Sequence, residues 1–189
     1  MDAFNDRTST LTLLATRRSG KARDMDAPGP NAAQLDAMLG AAIRVPDHGK
    51  LNPWRFVVIE RRAAFAEALL AAYLTDKPDA GRLEREAVTQ FASFAPCLIA
   101  VLHTPRESHI PLWEQELSTG AAIQNLMLAA HAQGFVANWL TGWAAYSPAV
   151  LALLGTAPER IAGFIFIGRQ AKPLEERPRP AADAVIARW

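Results

Sequence analysis

The alternation of apolar and polar positions divides the chain into helical stretches and short buried strands. Residues 8–16 (Thr-Ser-Thr-Leu-Thr-Leu-Leu-Ala-Thr) read as a short helix running into a basic turn, Arg17-Arg18-Ser19. A loop rich in Gly and Pro follows. Asn31 is then a candidate N-cap for a helix that places Leu35, Met38, Leu39 and Ala42 on one face and ends at Pro46. Phe56-Val57-Val58-Ile59, beside Trp54, has the β-branched and aromatic character of a buried strand. Residues 61–94 read as two helices interrupted near Lys77-Pro78-Asp79, with Phe65, Leu69 and Tyr73 on the first. Residues 97–102 form a second buried strand, closed by His103-Thr104-Pro105.

Residues 113–133 make the most informative helix. Its first turns carry Glu114 and Glu116, but from Gly120 to Ala132 it is apolar nearly all round. A helix without a wet face must be enclosed on every side, and a chain this small rarely encloses one alone. A second copy of the chain is the natural source of the missing cover. Residues 135–140 read as a strand entering Thr141-Gly142-Trp143, and Ser147 caps a short helix through Leu154 with Pro148 at its first position. Residues 161–167 are the last core strand. The strands are few and separated by long helical stretches, which predicts an α+β fold. The tail from Lys172, rich in Pro and Arg, is too polar to pack alone and is expected to lie across another surface.

Length and charge narrow the classes. The 189 residues suit a single domain, and half of them are hydrophobic. Twenty Lys and Arg against 19 Asp and Glu leave a formal charge of +1, so no broad field favours nucleic acid or a membrane surface. One cysteine, Cys97, permits no intrachain disulfide and reads as inert core at the start of an apolar strand. The first thirty residues mix charges and lack an apolar core of signal-peptide type, and no stretch is long and apolar enough to span a bilayer. The expected location is the cytoplasm.

Two nucleotide signatures are absent: none of the eleven glycines falls in a G-x-G-x-x-G or a G-x-x-x-x-G-K-[ST] pattern. A nucleotide-like cofactor must therefore be held by side chains and loop amides. Arg17-Arg18-Ser19 is a candidate phosphate clamp, because guanidinium forks match phosphate oxygens and Ser adds a donor. Basic residues at a helix C-terminus that merely complement its dipole are the alternative. The segment from Arg44 to Arg55 brings three further cations besides its two prolines, with His48 and Asn52 among them. It is either a braced binding loop or a solvated connector. His103 and His109 with Glu107 and Glu114 fit no standard zinc spacing, so no metal is expected and these read as solvated loop residues. His131 reads as a hydrogen-bonded core histidine. Glu114 and Glu116 are a charged helix start or a proton source, and Trp139 and Trp143 are packing or stacking aromatics.

Taken together, several segments resemble the FMN-dependent nitroreductase family. They are Arg17-Arg18-Ser19, Asn52-Pro53-Trp54-Arg55-Phe56-Val57-Val58-Ile59, the run Gly120 to Ala130, Gly134-Phe135 with Trp139, and Gly163-Phe164-Ile165-Phe166-Ile167-Gly168. Pro46-Asp47-His48 and Trp113-Glu114-Gln115-Glu116 look closest to the YdjA-type branch of bacterial NAD(P)H nitroreductases. The resemblance implies a three-layer α/β/α sandwich around a mostly antiparallel sheet, in an intertwined homodimer with FMN sites at the interface. It implies one domain over residues 1–189, with 1–10 as an N-terminal extension and 170–189 as a tail packing on the partner subunit.

Carried over by position, Arg17, Arg18 and Ser19 would hold the FMN phosphate and ribityl chain. Arg44 and His48, from the other subunit, would approach the flavin, and Trp139, Leu140 and Thr141 match a later flavin-contacting segment. A C-terminal phosphate-binding arginine could be Arg169, Arg177 or Arg179. Where the commoner family loop has Ser and Asn before a Gln-Pro-Trp, this chain has Asp47-His48 and Asn52-Pro53-Trp54. The implied activity is transfer of hydride from NAD(P)H through FMN to a nitroaromatic, quinone or similar small acceptor, by a ping-pong mechanism. Flavin storage or sensing, flavin fragmentation and dehalogenation are the alternatives on this scaffold. Hydride transfer requires no protein acid, base or nucleophile, so no catalytic residue is assigned.

Overall fold

The computed structural model describes residues 4–189. Ser9 caps the first helix, α1 (Thr10–Thr16), by accepting the amide hydrogen of Thr12. A two-residue strand, β1 (Met25–Asp26), precedes α2 (Ala32–Ala42). Asn31 is its N-cap as the sequence predicts, and Gln34 reaches back to the Asn31 amide to complete a capping box. β2 (Trp54–Val58) leads into α3 (Arg62–Asp76) and α4 (Arg82–Phe91), broken at the expected Lys77-Pro78. β3 (Cys97–His103) is followed by α5 (Leu112–Ala132) and β4 (Val136–Leu140). Two short helices, α6 (Trp143–Tyr146) and α7 (Pro148–Leu154), lead to the long β5 (Arg160–Gln170), and α8 (Ala182–Val185) lies in the tail.

β5 is central: β1, β3 and β4 all pair with it, β2 pairs with β3, and every pairing is antiparallel. Side chains on a strand alternate between faces, and here each face meets its own helical layer. Leu98, Ala100, Leu102, Phe164 and Phe166 pack with α3 and α7 residues such as Leu69 and Val150. Cys97, Ile99, Val101, Ile165 and Ile167 pack with Met38 of α2 and Ile123, Leu126 and Met127 of α5. The result is a three-layer α/β/α sandwich, and the continuously apolar runs of β3 and β5 follow from cover on both faces.

α5 ends in a Schellman motif. Gly134, at φ +81, lets its amide reach the His131 carbonyl and the Phe135 amide reach the Ala130 carbonyl. That sharp stop drops the chain directly into β4. Within one chain the cover on α5 is incomplete: Leu117 is 53% exposed, and Ala121, Gln124 and Leu128, spaced to share its face, are only partly covered. Leu11, Leu14, Ile43 and Trp113 are exposed as well. Among the described residues no helix is long and apolar enough to cross a membrane.

Candidate functional site

The turn after α1 is held from an unexpected direction. Asn5 donates its side-chain amide to the Arg18 carbonyl (3.2 Å) and accepts the Arg18 amide hydrogen (2.8 Å). Its own amide reaches the Thr16 carbonyl at 3.1 Å. Asn5 sits at φ +55, a left-handed conformation that Asn tolerates better than most residues. Residues 4–10 thus fold back and set the direction in which Arg17 and Arg18 leave the helix.

Arg17, Arg18 and Ser19 open onto a cleft of about 310 Å³ shared with Gln124 and Met127 of α5, Asn138 and Trp139 of β4, and Arg177 and Arg179 of the tail. Four guanidinium groups line it and, among the described lining residues, no carboxylate does; outside it, Arg179 Nη2 lies 3.6 Å from the exposed Glu176 Oε1. Arg17 donates from Nη2 to Ser19 Oγ (3.1 Å), while its buried Nε has no hydrogen-bond partner among the described residues. Burial first, then Arg179 and Arg18, push the Arg17 guanidinium below the usual arginine range. An anion placed among these like charges would offset their mutual repulsion. Arg18 is tied to the tail, donating from Nε to the Glu175 carbonyl at 2.6 Å.

Of the three C-terminal arginine candidates, Arg169 is committed elsewhere: it donates to the Gly134 carbonyl and its guanidinium carbon lies 4.2 Å from the centre of the Phe135 ring. Arg177 and Arg179 are the two in the cleft. Gln124 and Met127 belong to the Gly120–Ala130 run that carries the resemblance, but the sequence assigns neither them nor Asn138 to the site. They reach the cleft because α5 packs against β4.

The segment 139–141 divides. Trp139, 41% exposed, lines the arginine cleft, Leu140 packs on the α3 side of the core, and Thr141 lines a separate hollow with Tyr73 and Trp143. Trp143 is a packing residue: it meets Tyr73 edge-on at 4.8 Å and donates to Asp76 Oδ2 (2.8 Å). Arg44 and His48 do not line the arginine cleft of their own chain. The Arg44 carbonyl accepts from Asn125 Nδ2 (3.0 Å), and His48 Nδ1 lies 2.7 Å from Glu114 Oε2. The loop around His48 is stapled by Asp47, whose carboxylate accepts the amides of Leu51 (3.2 Å) and Asn52 (2.8 Å). Gly49, Lys50 and Asn52 take left-handed conformations around that staple. This gives the Asp47-His48 departure a structural role.

A second, larger cleft of about 430 Å³ shares Trp139 with the first and is walled by Ile123, Ala145, Leu151, Ile161 and Ala162. His103 lines it and is 3% exposed, which corrects the expectation of a solvated loop residue. β3 runs one residue further than its apolar run, pairing His103 with Arg160 of β5. Cys97 is buried as expected, with desolvation raising its thiol to about 11. His131 is fully buried beside the Phe135 carbonyl, and its pKa falls to about 4, chiefly through desolvation. Among the described residues no group of three or more His, Cys, Asp or Glu could hold a metal ion.

The family model described as "Nitroreductase family" matches residues 14–169. The chain belongs to the nitroreductase family. A Haemophilus influenzae protein named "Putative NAD(P)H nitroreductase" is 38% identical over 173 residues, 89% of this chain and 92% of that one. "Putative NAD(P)H nitroreductase YdjA" of Escherichia coli K12 is 36% identical over 162 residues, covering 84% and 86%. Among solved structures, a Bacteroides fragilis nitroreductase with bound FMN matches with a TM-score of 0.72 at 22% identity, over 94% of this chain and 98% of that one. The sandwich of this chain is thus the family fold.

Proposed function

We propose that this chain binds FMN in the arginine-lined cleft and uses it to pass reducing equivalents from NAD(P)H to a small acceptor such as a nitroaromatic or a quinone. The observation that carries this reading is the set of four guanidinium groups in one cleft, of which, among the described residues, only Arg179 has a carboxylate within 4 Å, the exposed Glu176. A phosphate monoester supplies the missing acceptors and charge. The names of the two relatives and the FMN held by the Bacteroides fragilis structure support the same assignment.

In this reading Arg17 and Ser19 bind the phosphate directly, Arg177 and Arg179 close over it, and Arg18 braces the tail. Trp139, between the two clefts, borders the ring system. Arg44 and His48 are absent from their own chain's cleft, which suits delivery from a second copy. The half-covered face of α5 carries Leu117 and also Gln124, which lines the cleft, so a partner seated on that face completes the site's wall. Residues 1–189 then act as one domain in a homodimer. Bound FMN supplies the hydride-accepting centre, and no side chain need act as nucleophile.

The test is spectroscopic. Purified protein, or protein soaked in FMN, should show flavin absorption that NADH or NADPH bleaches without oxygen. In fluorescence titration Arg17→Ala should lose about 1.5–3 kcal/mol of FMN affinity, the usual scale for charged hydrogen bonds. Protein that takes up no FMN overturns the reading. Flavin that neither nicotinamide bleaches reduces it to flavin binding alone.

A further inference from the structure

Behind the arginine cleft stands a histidine that a ligand in the cleft does not touch. Gln124, Met127 and His131 occur at i, i+3 and i+7 of α5 and so share one face of the helix. Gln124 and Met127 line the cleft, whereas His131, one turn further along, is 0% exposed. Its ring meets only protein.

One bond fixes the chemistry of that ring. Nδ1 lies 3.2 Å from the Phe135 carbonyl, which only accepts, so the hydrogen sits on Nδ1 and Nε2 carries a lone pair. This Nε2 is buried without a hydrogen-bond partner among the described residues, and so is Nε of Arg17, a donor. Buried polar atoms rarely stay single, and these two are complementary. The elements that carry them are in contact, since α1, which ends beside Arg17, packs on α5. Burial chiefly, and then the nearby Arg17 charge, keeps the ring neutral and the lone pair free. Arg17 already has one anchor, donating from Nη2 to Ser19 Oγ at 3.1 Å. A guanidinium is a rigid plane, so a second anchor at Nε settles where its remaining donors point.

We propose that His131 is a positioning residue whose Nε2 receives the Arg17 Nε hydrogen, directly or through one water, and so aims the guanidinium at the anion in the cleft. This rests on the reading of the cleft as a phosphate seat. His131 acts on the ligand only through Arg17.

The experiment is a double-mutant cycle on FMN affinity, read by fluorescence titration. His131→Met and His131→Gln are of similar size, but only Gln offers a strong acceptor. With Arg17 present, His131→Met should weaken FMN binding about five- to tenfold, the worth of one net hydrogen bond, and His131→Gln should recover most of it. In the Arg17→Ala background His131→Met should change nothing, because the hydrogen it received is gone. An equal loss in both backgrounds marks a merely structural role and overturns the proposal. No loss in either, or a Gln variant as weak as Met, does the same. A second readout needs no His131 variant: in nitrogen NMR the His131 Nε2 resonance should move between the unaltered protein and Arg17→Ala, and an unmoved resonance overturns the pairing. If the unaltered protein takes up no FMN, the flavin reading falls alone, and inorganic pyrophosphate replaces FMN in the same cycle. Coupling with pyrophosphate upholds the role of His131; no coupling, or no pyrophosphate bound, overturns it.

Discussion

At Gly163 the backbone of β5 has no room for a side chain. A Cβ there would lie 2.0 Å from Nε1 of Trp139, which donates to the neighbouring Ala162 carbonyl at 3.1 Å, and 3.1 Å from the Leu140 carbonyl oxygen. The missing side chain is what lets the indole come close against the β5 backbone beside both clefts. Gly163→Ala should cost about 1–3 kcal/mol, the scale of an overpacked site, and shift tryptophan emission. Urea unfolding followed by fluorescence reads both, and an unchanged midpoint and spectrum contradict the account. His131 supplies a second residue-scale test. Unfolded, an imidazole takes its proton near pH 6.5; in the fold this one refuses it until about pH 4. Stability is therefore whole above the unfolded value and falls as pH drops between the two, by something of order 3 kcal/mol. His131→Leu should flatten that slope in denaturation at pH 7.5 and 5, and an unaltered slope counts against it.

Elements were legible in the sequence where their signals are local. Asn31, Pro148 and the Lys77-Pro78 break mark boundaries through groups within a turn of each other, and the structure keeps all three. His103 was misread for the opposite reason. A histidine after six apolar residues looks like the end of a strand, and only the hydroxyl of Thr119, from a helix sixteen positions on, makes its burial tolerable. α5 was read as apolar all round and proves to be covered on the sheet side and half-bare at Leu117, Ala121, Gln124 and Leu128. If a second copy supplies that cover, Leu117→Asp should convert a dimer to a monomer, since burying an unpaired carboxylate is prohibitive. Light scattering at micromolar concentration reports it, and a dimer mass retained by the variant moves the interface elsewhere.

Across the whole molecule, the candidate site joins pieces that the sequence keeps far apart. The clamp Arg17-Arg18-Ser19 was legible as a motif, but its companions Arg177 and Arg179 stand at the other end of the chain, and Asn5 steers it from outside the family match. No local rule distinguishes those two arginines from Arg169, which differs only in having found a carbonyl and an aromatic ring to occupy it. The bond from Arg18 Nε to the Glu175 carbonyl has a thermodynamic meaning of its own. It fastens the C-terminal strap to a residue that lines the arginine cleft, so the ordering of that strap and the filling of the cleft draw on one shared equilibrium. Clipping the strap withdraws two positive charges at once, and an occupied cleft, in turn, shields the strap from being clipped.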